Sequence, residues 1–278
     1  IILGNLQSPL QLKKCENLKW IQLNNAGTEG YCEPGLLPEG AQLANATGAY
    51  GMAISEHMIG CLFALRKKLL LYWDNQKAHC WNSEGHVKVI ERSNVLVIGC
   101  GDIGMTFGRK MNALGCRVSG IRRRVSKKSD CPEWMEGMYG MDSLEERLPK
   151  ADIVAMSLPG NASTYHVLSR ERIALLSDNA VVLNVGRGTA IDTDALADAL
   201  YAGKIAGAAL DVTDPEPLPA DHRLWNAPNL LITPHVSGGF SLPETLEKIV
   251  GLFADNLERY FAGQPIENLV NLQTGYRE

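Results

Sequence analysis

Three side chains of this 278-residue chain are of types that can act together on an anionic carbonyl compound: Arg187, Glu216 and His235. Arginine presents a planar fork of donors that grips carboxylate and carbonyl oxygens, which a lysine point charge does less selectively. Histidine changes charge near neutrality, so it can protonate a developing alkoxide or take the proton back. A glutamate on its far nitrogen fixes the tautomer and favours the imidazolium. Each residue follows an apolar run that reads as a buried parallel strand. Val181 to Val185 overlaps Asn184-Val185-Gly186-Arg187-Gly188, Ala208 to Val212 leads into Asp211-Val212-Thr213-Asp214-Pro215-Glu216-Pro217, and Leu230 to Ile232 precedes Thr233-Pro234-His235. In open α/β sheets ligands bind outside the carboxyl ends of the strands, and that edge would receive these three residues one per strand. Taken singly, a histidine after a Thr-Pro turn, an acid between prolines or an arginine at a helix cap is ordinary. Their joint placement favours chemistry.

A second pattern lies upstream. Val95-Leu96-Val97-Ile98 runs into Gly99-Cys100-Gly101-Asp102-Ile103-Gly104 and then a helix-like Met105 to Leu114. This is G-x-G-x-x-G in a strand, turn and helix: Gly99 for the tight turn, Gly101 for close approach to a pyrophosphate, Gly104 for helix-to-strand packing. The helix N-terminus adds unpaired N–H groups and positive dipole. NAD-specific domains place an acid about twenty residues beyond the glycines for the ribose hydroxyls. Here the strand Arg117 to Ile121 ends instead in Arg122-Arg123-Arg124, with Lys127 and Lys128 following, a cluster suited to a 2′-phosphate. NADP(H) is therefore the favoured cofactor, with NAD the alternative and a solvated basic run the bland reading.

With these motifs go Lys19-Trp20-Ile21-Gln22-Leu23-Asn24-Asn25-Ala26-Gly27, Ser55-Glu56-His57, Ala151-Asp152-Ile153-Val154 leading to Leu158-Pro159, and Leu210-Asp211-Val212. In that order they make the chain resemble the D-isomer-specific 2-hydroxyacid dehydrogenases, of the glyoxylate/hydroxypyruvate reductase kind, over nearly all of its length. The resemblance implies NAD(P)H-dependent reduction of a small 2-keto acid to a D-2-hydroxy acid and the reverse, with Arg187, Glu216 and His235 catalytic. It implies cofactor contacts from Gly99, Gly101, Asp102, Ile103, Gly104, Leu158, Pro159, Thr164, Val185, Asp211, His235 and Gly238, to which the basic cluster adds Arg122, Arg123 and Arg124. Substrate contacts fall to Ala26, Gly27, Arg187 and His235. Asp211 matches the residue that hydrogen-bonds the nicotinamide carboxamide, and Ala26 and Gly27 match the turn whose main-chain N–H groups receive the substrate carboxylate. Glu29 departs from the commoner aspartate. Glyoxylate or hydroxypyruvate is the expected kind of substrate, and a homodimer built partly on the long helix after residue 50 is implied. Two other readings stay open: a dinucleotide-sensing corepressor-like binding protein, and an NAD-dependent formate- or phosphite-type dehydrogenase.

The expected fold class is α/β: a doubly wound parallel Rossmann sheet with a second, smaller flavodoxin-like α/β domain. That smaller domain reads as lacking its N-terminal strand, since the chain opens on Ile1-Ile2-Leu3 in mid-strand and without methionine. The predicted domains are 1–74 with 245–278, for substrate, and 75–244, for the dinucleotide. Gly51 to Ala78 reads as one long helix. After Pro243, the spacing of Leu246, Ile249, Val250, Phe253, Leu257 and Phe261 predicts another with one apolar face. The net charge of −4 gives no electrostatic case for nucleic acid or an anionic membrane. The charges within Met52 to Trp73 argue against a membrane span. Seven cysteines without C-x-x-C pairs favour a reducing, cytoplasmic setting. No histidine cluster has metal-ligand spacing, so no metal is expected. His57, early in its helix beside Glu56, reads as capping or packing, and Trp81 as a buried anchor, an active-site contributor or a dimer contact.

Overall fold

The computed structural model describes residues 1–123, 131–239 and 242–277. In chain order the elements begin β1 (Ile2–Leu3), β2 (Trp20–Gln22), β3 (Gln42–Ala44), α1 (Gly51–Arg66), α2 (Leu69–Lys77), β4 (Asn94–Ile98), α3 (Asp102–Ala113), β5 (Arg117–Ile121) and β6 (Gly137–Tyr139). They continue α4 (Leu144–Arg147), β7 (Ile153–Met156), α5 (Arg170–Leu175), β8 (Val181–Asn184), α6 (Thr193–Tyr201), β9 (Gly207–Leu210), β10 (Leu230–Ile232), α7 (Pro243–Phe261), β11 (Val270–Asn271) and β12 (Tyr276–Arg277). Two compact units result, residues 1–50 with 240–278 and residues 51–239.

The larger unit is a seven-stranded sheet in the order β10-β9-β8-β7-β4-β5-β6, every neighbouring pair parallel. Strands β7, β8 and β9 are buried along their whole length, as near-continuous apolar sequence requires when helices cover both faces. The order reverses between β4 and β7, which is the switch point where a doubly wound sheet opens a crevice at its carboxyl edge. One core cluster runs from Leu96 and Ile98 through Val154, Met156 and Val182 to Leu196 and Leu210. Strand β6 follows no apolar run noted in the sequence; it pairs with β5 at Ser119↔Gly137.

The single helix expected over 51–78 is broken into α1 and α2. Lys68 adopts a left-handed φ of 56°, and its N–H closes a tight turn on the Leu65 carbonyl. The physical reason is burial. Helix α1 has an apolar face ending at Leu65, and the buried Arg66 donates to the Asp152 carbonyl at 2.7 Å, whereas α2 buries no residue. No helix among the described residues is long and apolar enough to cross a membrane. The two compact units divide at 50/51 and 239/240, so α1 and α2 belong to the larger one.

In the smaller unit β1, β2 and β3 form a parallel sheet in sequence order, and β11 and β12 an antiparallel hairpin. Trp20 is fully buried and stacks on Phe253 at 5.3 Å and Tyr260 at 6.1 Å, which with Leu257 dock α7 on the sheet, whereas Leu246, Val250 and Phe261 of the face predicted from the sequence are exposed. Asn256 of that helix is also buried, and is satisfied by Gln22 and by both backbone groups of Glu267. The Asn24-Asn25-Ala26-Gly27 turn follows β2. Its carbonyls accept from Asn45 Nδ2 (to Ala26, 2.8 Å), from the Ala46 N–H (to Asn25, 2.9 Å) and from the Tyr50 hydroxyl (to Asn24). Three carbonyls of the turn are thereby satisfied within the smaller unit.

Candidate active site

Arg187, Glu216 and His235 stand just past the ends of β8, β9 and β10, which are consecutive neighbours in the sheet. Adjacent strands lie about 4.8 Å apart, so three loops leaving them share one small region. His235 Nδ1 lies 2.6 Å from Glu216 Oε1. A carboxylate only accepts, so Nδ1 carries the hydrogen and Nε2 is the nitrogen that can exchange a proton with a substrate. Both side chains are close to half exposed, so this hydrogen bond orients the ring more than it stabilises the fold.

The Arg187 loop is shaped by Asn184, which is 1% exposed. Its Oδ1 accepts from the Gly186 N–H at 3.1 Å and its Nδ2 donates to the Arg187 carbonyl at 3.0 Å. The guanidinium donates from Nη1 to the Gly186 carbonyl at 2.8 Å. Gly188 has to be glycine because a Cβ there would stand 1.9 Å from the Thr213 carbonyl oxygen. That close approach brings the loop after β8 against the loop carrying Glu216.

Asp211 is the least exposed acid of the region, at 3%. Oδ1 accepts from Thr233 Oγ1 at 2.6 Å and from the Val236 N–H at 3.0 Å; Oδ2 accepts from the Ser237 N–H at 3.0 Å and from Ser237 Oγ at 2.5 Å. Burial alone would raise its pKa, but the hydrogen bonds from Ser237, Thr233 and Val236 outweigh burial and hold it below the ordinary aspartate value. These four bonds use the lone-pair directions of both oxygens, so a carboxamide would have to share one of them. They also clasp the turn on which His235 sits. His235 has a left-handed φ of 54°, unfavourable by about 1–2 kcal/mol for a residue with a Cβ. Its N–H donates to the carbonyls of Asp211 at 2.8 Å and Thr233 at 3.0 Å, which helps to offset that cost.

At the other side of the edge, Gly99 takes a φ of 99° and α3 begins at Asp102, with no side chain capping its first turn. A Cβ on Gly104 would stand 2.2 Å from the Gly99 carbonyl oxygen, while one on Gly101 would meet nothing within 4 Å. The turn is therefore closed where helix meets strand and open where a pyrophosphate would approach, which fits a dinucleotide. The Asp102 carboxylate accepts the N–H of Gly51 at 2.8 Å, so this side chain caps α1 and leaves the backbone N–H groups of α3 to meet a ligand. Ile103 lies half-buried in that first turn. Leu158 and Pro159 follow β7 after Ser157, and Thr164 closes their loop by donating to the Pro159 carbonyl at 2.6 Å. Val185 is buried, and Gly238 is half-buried just after the clasped turn.

Arg122 follows β5, its N–H on the Tyr139 carbonyl at 3.0 Å. Burial pushes the Cys100 thiol up to about 12, against the opposing effects of the Arg122 charge and a hydrogen bond to the Ile121 carbonyl. Arg123 is exposed, and Arg124, Lys127 and Lys128 lie outside the described residues. Sequence reading gave no role to Asn184, Thr233 or Ser237. Thr233 at least stood beside His235, where a hydroxyl two residues before a left-handed turn was a usable signal.

Fold, switch point and glycine turn define a dinucleotide-binding protein of the doubly wound class. The family described as D-isomer specific 2-hydroxyacid dehydrogenase, NAD binding domain, matches residues 59–237. A protein of Corynebacterium melassecola described as an uncharacterized protein in the proB 3′ region is 32% identical, over 94% of this chain and 84% of that one. The crystal structure of a D-isomer specific 2-hydroxyacid dehydrogenase family protein from Aeromonas salmonicida superposes with a TM-score of 0.84 at 32% identity, covering 95% of this chain and 84% of that one. An NADPH-dependent glyoxylate/hydroxypyruvate reductase from Sinorhizobium meliloti, solved with NADP and sulfate, gives 0.84 at 26% identity, covering 99% and 86%. The chain belongs to the D-isomer specific 2-hydroxyacid dehydrogenase family. It is an NAD(P)-dependent oxidoreductase acting on the CH–OH group of small hydroxy acids and the corresponding keto acids.

Proposed function

We propose that this enzyme reduces a small, polar 2-keto acid of the glyoxylate or hydroxypyruvate kind, with NADPH preferred over NADH. The observation that carries the reading is the 2.6 Å bond between His235 Nδ1 and Glu216 Oε1, one strand apart from Arg187. Arg187 grips the carboxylate and polarises the carbonyl. A bound reduced nicotinamide supplies the hydride. His235, with Nδ1–H held by Glu216, delivers a proton from Nε2 to the carbonyl oxygen as it becomes an alkoxide, and takes it back in the oxidative direction.

The N–H groups of α3 beyond Gly101 would hold the pyrophosphate, with Leu158, Pro159 and Thr164 lining the crevice at the switch point. The NADPH preference rests on the position of Arg122 directly after β5 and on the absence of an acid at the end of that strand. The Sinorhizobium meliloti relative, described as NADPH-dependent, supports it. We also infer a homodimer in the cytoplasm. Helix α2 buries nothing, and Leu69, Trp73, Trp81 and Val89 stand exposed on it and on the segment that follows, while all seven cysteines are free thiols. Analytical ultracentrifugation checks the dimer.

The test is oxidation of NADPH and NADH against glyoxylate, hydroxypyruvate, pyruvate and 2-ketobutyrate, with His235→Ala as control. Turnover favouring NADPH and lost in the variant supports the reading. An NADH preference removes the role given to Arg122. Tight cofactor binding without turnover of any keto acid moves the weight to a dinucleotide sensor or to a formate-type substrate.

A further inference from the structure

A second histidine stands behind the first. His57, on the second turn of α1, lies with Nε2 3.1 Å from Thr233 Oγ1 and 4.0 Å from Asp211 Oδ1. The hydrogen positions follow from valence. Thr233 has one hydroxyl hydrogen and the Asp211 carboxylate can only accept, so across their 2.6 Å contact that hydrogen goes to Oδ1. Thr233 Oγ1 is thereby left as the acceptor toward His57, and Nε2 must carry a hydrogen. Donation runs one way, from imidazole to hydroxyl to buried carboxylate.

That carboxylate is the clasp of the catalytic turn. Thr233 and Ser237, both bound to it, bracket His235, whose left-handed backbone needs external support. The titratable neighbours leave this relay intact. Cys61, one turn along α1 with Sγ 3.5 Å from Nε2, is pushed up to about 11, by burial first and then by the Asp211 charge, so it stays a neutral thiol. Glu56 on the same helix is paired with Lys110 at 3.0 Å and is engaged elsewhere. The His57 side chain is only 24% exposed, which protects its bond to Thr233 from competition with water.

We propose that His57 is a positioning residue for proton transfer: its Nε2–H, relayed through Thr233 to Asp211, holds the 233–237 turn in the conformation that presents His235. This rests on the reading of His235 as the proton donor, and the experiment separates the two. His57→Leu fills the space without a donor, His57→Gln restores an N–H, and Thr233→Val removes the relay with little change of shape. Each is measured for kcat, for NADPH affinity by fluorescence, and for the ring resonances of His235 in protein labelled with ¹⁵N-histidine. With six histidines in the chain, His235 is assigned by its loss in His235→Ala.

The expected result is a fall in kcat of about tenfold in His57→Leu, cofactor affinity nearly unchanged, and most of the rate recovered in His57→Gln. Combining His57→Leu with Thr233→Val should cost no more than Thr233→Val alone, since both break one chain of bonds. The His235 ring signals should move together in both single variants. Equal kcat and unmoved His235 signals in His57→Leu, or a glutamine variant no better than leucine, would overturn the proposal. Wild-type protein inert toward every keto acid would count against the functional reading instead, and the ring signals would still decide the role of His57.

Discussion

Along one carboxyl edge of the larger sheet, two sites are built by opposite means. At the ends of β8, β9 and β10 the polar side chains are tied to one another: Asn184 shapes the Arg187 loop, Asp211 clasps the His235 turn, and Glu216 holds the ring. At the ends of β4 and β5 the work falls to backbone and to missing atoms, with a Cβ excluded at Gly104 and open space at Gly101. The difference matches what each side is proposed to bind. Proton and hydride transfer need reacting atoms held within fractions of an ångström, which a network of hydrogen bonds provides. A pyrophosphate needs only N–H groups and positive dipole with room to approach.

If this contrast holds, damage on the β8–β10 side should appear in turnover and damage on the β4–β5 side in cofactor affinity. The largest effect is expected from Arg187→Leu, about a 10³-fold loss of kcat/KM with NADPH binding retained, read by steady-state kinetics beside fluorescence titration. Gly104→Ala should follow. Its Cβ would meet the Gly99 carbonyl oxygen at 2.2 Å and Val97 Cγ1 at 2.8 Å, so cofactor affinity should fall about 10²-fold, with a fold destabilised by about 1–3 kcal/mol in urea.

Asp211→Asn would set an NH₂ against donors that now point at a carboxylate, for a loss of about 2 kcal/mol at neutral pH and a drop in kcat. Its sign with pH is fixed by the depressed pKa of Asp211 in the fold. The stabilisation is fully present above the unfolded value of about 3.9 and is lost as pH falls through the lower folded value. Unfolding curves of wild type and variant should therefore converge in acid; a constant gap would break the argument.

A smaller effect is expected from Glu216→Gln, which keeps an acceptor for Nδ1–H but removes the charge; kcat should fall about tenfold and Glu216→Ala should fall further. Smallest of all, Arg122→Ser should reduce the NADPH to NADH ratio of kcat/KM about fivefold, since a partly exposed guanidinium contributes only part of a charge-assisted bond. A fall in keto acid turnover with both cofactors alike would instead assign Arg122 to the fold.

Much of this was legible because it is local. A glycine turn between an apolar strand and a helix has a chain spacing of its own, and Arg187, Glu216 and His235 each follow a strand that announces itself by apolar residues. Boundaries blurred where burial decided them. Nothing in the apolar spacing of 51–78 marks Lys68 as left-handed; the break reflects α1 having a sheet to cover and α2 having none. Strand β6 is not legible in the sequence, because three residues carrying Gly137 show no alternation.

By itself, then, the sequence determined the class of fold, the dinucleotide turn and the identity of the side chains at the strand ends, since those depend on patterns within a few residues. Tertiary structure alone decided which groups answer each other across the chain. Asp211 reaches residues 22 to 26 positions ahead, Asp102 caps a helix that begins 51 positions earlier, and His57 meets Thr233 over a separation of 176. A hydrogen bond depends on distance and direction in space, and once the chain has folded these owe nothing to spacing along it.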